Sequence, residues 1–182
     1  LDHDYFPVRL DEMQSTFNFN VLSETQVLKI GNIEIFNTYA IHPGATLCFK
    51  IKSPKHTIGY CTDNEILVGY QGHPNDIDID HPDLQPYKYL IDFYKDCDII
   101  IHEAQYSPEE YKNKIGWGHS SITNAMILMQ HLNAKEWIIT HHDPSHNDKA
   151  LSEKLWLHHQ LAQTCGLKTS IHMAYDGLIL PL

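Results

Sequence analysis

Two apolar periods follow one another along the chain. Over residues 27–30 and 33–39, β-branched and aromatic side chains alternate with polar ones, and Gly31-Asn32 between them is a favourable two-residue hairpin connection. Residues 46–51 alternate in the same way. Ser53-Pro54-Lys55 then turns the chain into residues 57–61, which predicts a second hairpin. Residues 72–86 carry Asp and Pro with few large apolar side chains and predict a long surface loop. Beyond Pro86 the period lengthens. Tyr89, Leu90, Phe93 and Tyr94 fall on one helical face, and a buried strand follows at residues 98–102. Ser107-Pro108-Glu109-Glu110 combines a capping residue, a proline at the first helical position and acidic residues in the first turn, so a short helix should follow. Ser120 or Ser121 can cap the next helix, whose Ala125, Leu128, Met129 and Leu132 form one stripe ending near Asn133. Residues 137–140 read as a buried strand. Residues 148–163 read as the longest helix, with Leu151, Leu155 and Leu161 on its apolar face and Gly166 placed to stop it. Residues 169–174 and 178–180 read as two closing strands.

Hairpins followed by helix–strand alternation predict a mixed α/β layer protein with helices covering a sheet. A chain of 182 residues with 42% apolar composition can bury one core, so residues 1–182 are expected to form a single domain. No apolar run approaches the roughly 20 residues that a membrane-spanning helix needs, and no basic-then-apolar leader opens the chain. A cytoplasmic protein without a membrane partner is the expectation. Cys48, Cys61, Cys97 and Cys165 form no Cys-x-x-Cys pair and read as buried free thiols. Lys and Arg total 13 against 23 Asp and Glu, a formal net charge of -10 with no basic cluster, which disfavours an extended nucleic acid as partner. A small phosphate ester remains compatible, because bound metal ions would reverse the sign of the field inside a site.

Histidine changes the picture. Its 14 copies outnumber Lys and Arg combined. Several sit in five separated segments that end or flank strand-like runs: His42-Pro43-Gly44, Tyr60-Cys61-Thr62-Asp63-Asn64-Glu65, His102-Glu103-Ala104-Gln105-Tyr106, Gly116-Trp117-Gly118-His119-Ser120-Ser121 and Thr140-His141-His142-Asp143-Pro144. Neutral imidazoles and carboxylates suit Zn and, with more oxygen ligands, Mn or Fe, and a metal ion brings the pKa of bound water to about 7. Two such ions about 3.5 to 4 Å apart can grip a phosphodiester during in-line attack. Singly, each segment has a plainer reading: a turn at Asp63, a helix entrance at His119, a satisfied core pair at His102 and Glu103. His158-His159 reads as a solvated helix face.

In order and spacing the set from His42 to His141 resembles the later half of a metallo-β-lactamase-fold hydrolase, in the branch that holds ribonuclease Z and cyclic nucleotide phosphodiesterases. The resemblance implies a four-layer αββα sandwich with the metal site where strand ends from both sheets meet. It implies two divalent metal ions, Zn first and Mn or Fe otherwise. By the family's motifs, His42 ligates one metal, Asp63 bridges the two and His141 ligates the second. His119 matches a histidine that assists the leaving group, and Glu103 matches the acidic residue that orients it. His142, Asp143 and His146 are possible site-lining residues.

The family's His-x-His-x-Asp-His run appears nowhere in these residues. Asp2-His3-Asp4 does not replace it, because the Tyr5-Phe6-Pro7-Val8 that follows resembles a segment downstream of that motif. The expectation is therefore a domain lacking its N-terminal portion, a fragment that holds metal poorly unless another chain supplies the rest. For the intact protein the resemblance implies hydrolysis of a small phosphodiester, plausibly a 3',5'-cyclic nucleotide, by metal-bound hydroxide. One alternative is a ribonuclease Z-like endonuclease that processes transfer RNA ends. Residues 45–62, between the third and fourth motifs, leave room only for a bare hairpin and not for a long RNA-gripping arm. A catalytically inactive regulatory or structural module is the alternative of a different class, and a β-lactamase or thioester hydrolase ranks lower. A homodimer is compatible, with Trp117 as a contact.

Overall fold

In the computed structural model, residues 8–23 and 26–181 are described, so the reading of Asp2-His3-Asp4 lies outside the described residues. Seven strands form one sheet in chain order: β1 (Leu28–Ile30), β2 (Ile33–Tyr39), β3 (Leu47–Lys52), β4 (Thr57–Cys61), β5 (Ile99–Glu103), β6 (Glu136–Thr140) and β7 (Ser170–Met173). The first three pairings are antiparallel, through the hairpins that the alternating segments predict. The last three are parallel, and helices make the crossovers. Helix α1 (Lys88–Tyr94) lies between β4 and β5, α2 (Pro108–Tyr111) and α3 (Ile122–Gln130) between β5 and β6, and α4 (Asp148–Cys165) between β6 and β7. This direction pattern has a functional consequence. Strands β2, β4, β5 and β6 all run the same way, so their C-terminal ends share one edge of the sheet.

Alternation along the strands separates two faces. Cys61, Ile100, Trp137, Ile139 and Ile171 join the buried core together with Leu90, Tyr94, Met126 and Leu128 from the helices. Ile99 and Ile101, out of step with Ile100, point the other way. With Ile58, Ile138, Leu178 and Leu180 they line a shallow apolar depression that no helical residue enters. One sheet with its helices is thus the architecture of the described residues, an α/β arrangement that matches one half of an αββα sandwich.

Local chemistry accounts for the helix ends. Ser107 Oγ accepts from Glu110 N–H while the Glu110 carboxylate accepts from Ser107 N–H, a reciprocal cap. Ser121 caps α3 and Gly166 ends α4 in the left-handed conformation. The 72–86 stretch is more ordered than a loop. It contains two 3-10 turns, Pro74–Asp76 and Pro82–Tyr87, each started by a histidine (His73, His81) whose ring accepts a backbone N–H and which precedes a proline.

Three expectations are corrected. Residues 178–180 are not a strand; after a turn closed by Leu178 N–H to Tyr175 O, 3.0 Å, they lie as a loop beside the exposed apolar face. Helix α3 is buried on every side from Ile122 to Met129 rather than along one stripe. In α4 the fully buried row is Lys154, His158 and Ala162, spaced by four, while Leu155 and Leu161 are only partly covered. His158 is therefore a core residue, its ring edge-on to Trp137 at 5.2 Å; only His159 is on the wet face.

Candidate functional site

The shared strand edge gathers most of the residues singled out above. His42 follows β2, Asp63 follows β4, Glu103 closes β5 and His141 is the first residue past β6. His119 enters from the loop before α3. Ligand atoms of His42, Asp63 and His119 all lie within 4.8 Å of one another. His141 adjoins Asp63 and His119 without entering that three-residue cluster: its Nε2 is 3.2 Å from Asp63 Oδ1, and its ring centroid is 4.9 Å from that of His119.

His42 and His119 are each oriented through Nδ1. His42 Nδ1 is engaged by the backbone of Gly44, whose N–H stands 3.1 Å away, and by Thr46 Oγ1 at 3.2 Å, which leaves Nε2 free. His119 Nδ1 is 2.9 Å from Glu103 Oε1, which likewise leaves Nε2 free. Gly118, at φ +93°, presses against the His42 ring so closely that a Cβ there would sit 2.1 Å from His42 Cδ2. His141 holds a backbone φ of +53°, rare for a side chain of this size.

Beneath these residues is a buried polar scaffold of which the sequence reading assigned only Glu103 a role. Glu103 is fully buried, and besides His119 it accepts the N–H groups of Asn64, Gln105 and Ser120 at 2.8, 3.3 and 3.2 Å. Burial pushes its carboxyl up to about 7, opposed by His119 and by those N–H donors. Three of its partners are backbone N–H donors, which favour the carboxylate form facing His119 Nδ1 at 2.9 Å. Burial works to lower the pKa of His119, but the hydrogen bond and charge of Glu103 outweigh it and hold the imidazole above its ordinary value. For His141 burial wins over Asp63, and its pKa is lowered.

Glu65, two residues past Asp63, is a second buried carboxylate. It accepts Tyr111 O–H at 2.7 Å and the N–H groups of Gly116 and Gly118, both at 2.8 Å. Asn64 accepts from Ile41 N–H at 3.0 Å beside His42, and its amide meets the ring of buried His102 at 2.9 Å. His102 spends its other nitrogen on the Glu103 carbonyl, 2.6 Å, so it does not pair with the Glu103 carboxylate. Gln105 ties the two sides of the site together. Its backbone N–H reaches Glu103 and its side-chain amide donates to His141 O at 3.2 Å, while buried Lys154 donates to its carbonyl at 2.7 Å.

The possible lining residues are placed differently. His142 Nε2 lies 2.9 Å from Ala174 O, and His146 Nε2 lies 2.8 Å from Glu110 Oε1. Asp143 accepts from Ser145 N–H and Oγ–H at 2.8 and 2.6 Å, a local turn. None of the three joins the ligand-atom cluster.

The donor set fits a divalent metal. Two ligands on one tetrahedral Zn, bonded at about 2.0–2.1 Å, stand roughly 3.3 Å apart. The His141–Asp63 separation of 3.2 Å is close to that spacing. Imidazoles with a carboxylate are the ligand types of Zn, Mn and Fe centres.

No family model matches the chain. A ribonuclease Z of Halalkalibacterium halodurans is 32% identical over 66 residues, which are 36% of this chain and 21% of that protein. Among solved structures, the metallo-β-lactamase fold protein YhfI from Bacillus subtilis is similar with a TM-score of 0.61 at 18% identity, covering 86% of this chain and 53% of that one. Unliganded yeast PDE1 gives 0.58 at 18% identity, over 86% and 48%. Zn-bound PqqB from Methylobacterium extorquens gives 0.57 at 10% identity, over 88% and 55%. The match spans about a fifth of the ribonuclease Z and about half of each solved chain. The sheet order, the covering helices and these likenesses together assign the chain the metallo-β-lactamase fold.

Proposed function

We propose that this chain is the part of a metal-dependent phosphodiester hydrolase that carries His42, Asp63 and His141 as metal ligands, acting on a small ester such as a 3',5'-cyclic nucleotide. The observation that carries the reading is the convergence of His42, Asp63, His119 and His141 at one strand edge, with His119 oriented by a buried carboxylate. Asp63 suits the bridging role, since its carboxylate lies between histidines from both sides and is held by Thr62 Oγ at 2.5 Å. Divalent ions bound there supply Lewis acidity and an activated water. His119, with Nδ1 held by Glu103, presents Nε2 toward the same space and as the imidazolium can donate to the departing oxygen.

The sequence likeness to a ribonuclease Z favours a second reading, an endonuclease that processes transfer RNA ends. Against it, residues 45–62 contain only the β3–β4 hairpin, and the net charge of -10 repels a polyanion. Metal content of the intact protein, purified without chelators and measured with hydrolysis of cyclic AMP and of precursor transfer RNA at low salt, tests both. Bound metal with turnover of the cyclic nucleotide is the expected result. RNA cleavage alone would reverse the ranking, and neither metal nor turnover would favour a catalytically inactive module. In the active protein His119→Ala should lower turnover far more than metal content; equal losses would remove His119 from the chemistry.

A further inference from the structure

Beside the candidate site a short turn displays an indole. Trp117 N–H closes back on Lys114 O at 3.1 Å, and Gly116 and Gly118 flank the tryptophan with φ of +82° and +93°. Both glycine N–H groups are clamped by the single buried carboxylate of Glu65. The loop is thereby fixed on either side of Trp117, yet the indole itself is 57% exposed.

A cation accompanies it. Lys114 Nζ stands 3.8 Å from the Trp117 ring centroid and 5.9 Å from that of Tyr106, and makes no ion pair among the described residues. The Tyr106 ring in turn lies 6.2 Å from the His119 ring. Buried Tyr106 therefore links His119 to half-buried Lys114 and exposed Trp117 beside the site. Trp117 is two residues from His119, a Cα separation of at most about 7.6 Å, comparable with the span from phosphate to base in a nucleotide.

We infer that Trp117 and Lys114 form a recognition rim for a nucleoside phosphate, the indole stacking on the base and the ammonium compensating phosphate charge; the inference rests on the phosphodiesterase reading above. An aromatic face with one adjacent cation is the chemistry that takes a base. A single lysine beside the indole, on a chain of net charge -10, suits a small anion and is too little for a polynucleotide.

The test uses the whole chain carrying Trp156→Phe, so that Trp117 is the accessible indole and Trp137 stays buried. AMP and ribose 5-phosphate are titrated without metal, following tryptophan fluorescence and equilibrium dialysis. AMP should quench and ribose 5-phosphate should not. Trp117→Ala should weaken AMP binding about 5- to 150-fold, the range of one base–aromatic stack, and Trp117→Phe should restore most of it. Lys114→Met should weaken AMP and flatten its salt dependence. The circular dichroism of Trp117→Ala should match the parent, since Glu65 still holds the loop.

Unchanged AMP affinity in Trp117→Ala, or equal quenching by ribose 5-phosphate, overturns the rim. So does a dimer-to-monomer shift of Trp117→Ala in sedimentation without loss of AMP affinity, which would make the indole a subunit contact. Metal and turnover retained with no stacking sink the rim alone. Stacking retained with neither metal nor turnover sinks the phosphodiesterase reading alone.

Discussion

Two histidine–carboxylate pairs stand at the same sheet edge and are built in opposite ways. In the first, His119 and Glu103 are 2.9 Å apart with side chains 14% and 0% exposed. The Glu103 carboxylate is saturated by three backbone N–H groups as well as the imidazole. In the second, His141 and Asp63 are 3.2 Å apart with side chains 37% and 26% exposed, and among the described residues Thr62 is the one hydrogen-bond donor that Asp63 shows besides His141. The contrast separates two jobs that identical residue types can do. A carboxylate whose lone pairs are all taken can only orient its histidine; one left open at a strand end can ligate.

The contrast breaks first at Glu103. Glu103→Leu leaves several buried N–H groups without an acceptor, and urea denaturation should show a loss of about 3–5 kcal/mol. A loss under about 1 kcal/mol would mean the carboxylate is not what holds the edge together.

A histidine with no carboxylate at all sharpens the comparison by pH. Burial lowers His158 to about 3, so between that value and its unfolded value of about 6.5 the unfolded chain binds the extra proton. Stability from this residue is complete above about 6.5 and is lost as pH falls below it. His158→Phe should reduce the stability difference between pH 7 and pH 4.5 by about 2–3 kcal/mol, read from denaturation at the two pH values. His102, lowered to about 4 by its burial, contributes in the same direction and persists in that variant.

Gly118→Ala tests whether the open pair depends on the closed scaffold. The left-handed backbone and the contact with His42 should together cost about 1–3 kcal/mol and displace the imidazole, so thermal stability and metal affinity should fall together. Gln105→Leu removes the amide that reaches His141 O and should cost about 1 kcal/mol. Metal affinity measured by calorimetry should fall by more than that, because His141 sits in a strained backbone conformation. Asp63→Asn should be the mildest on stability, within about 0.5 kcal/mol, while abolishing metal binding. If it destabilises as much as Glu103→Leu, the two pairs are not different in kind.

What could be read along the chain was whatever chemistry acts over a few residues. Ser107 and Ser121 cap helices because a hydroxyl reaches an N–H three positions on. Gly166 ends α4 through the backbone conformation that it alone accepts cheaply. The site positions were visible in the same manner, each polar residue following an apolar strand-like run. Glu65 and Ser120 were not visible, because their partners lie far along the chain: Glu65 binds Gly118, and Ser120 Oγ binds the backbone of Asn64 and Ile66. The one hint at Glu65 was an acid running straight into apolar Ile66-Leu67. His158 had no hint, since its burial comes from Trp137, a residue of another element.

By itself the sequence determined most of the strands and helices and the order in which His42, Asp63, Glu103, His119 and His141 arrive. Hydrophobic period, caps and turns are local properties, so they survive without knowledge of the fold. Only the tertiary structure decided that β2, β4, β5 and β6 end at one edge, that Glu103 is closed while Asp63 is open, and that Lys154 and His158 are core residues. Burial and proton affinity depend on neighbours that strand pairing brings together across the chain, and no local pattern encodes those neighbours.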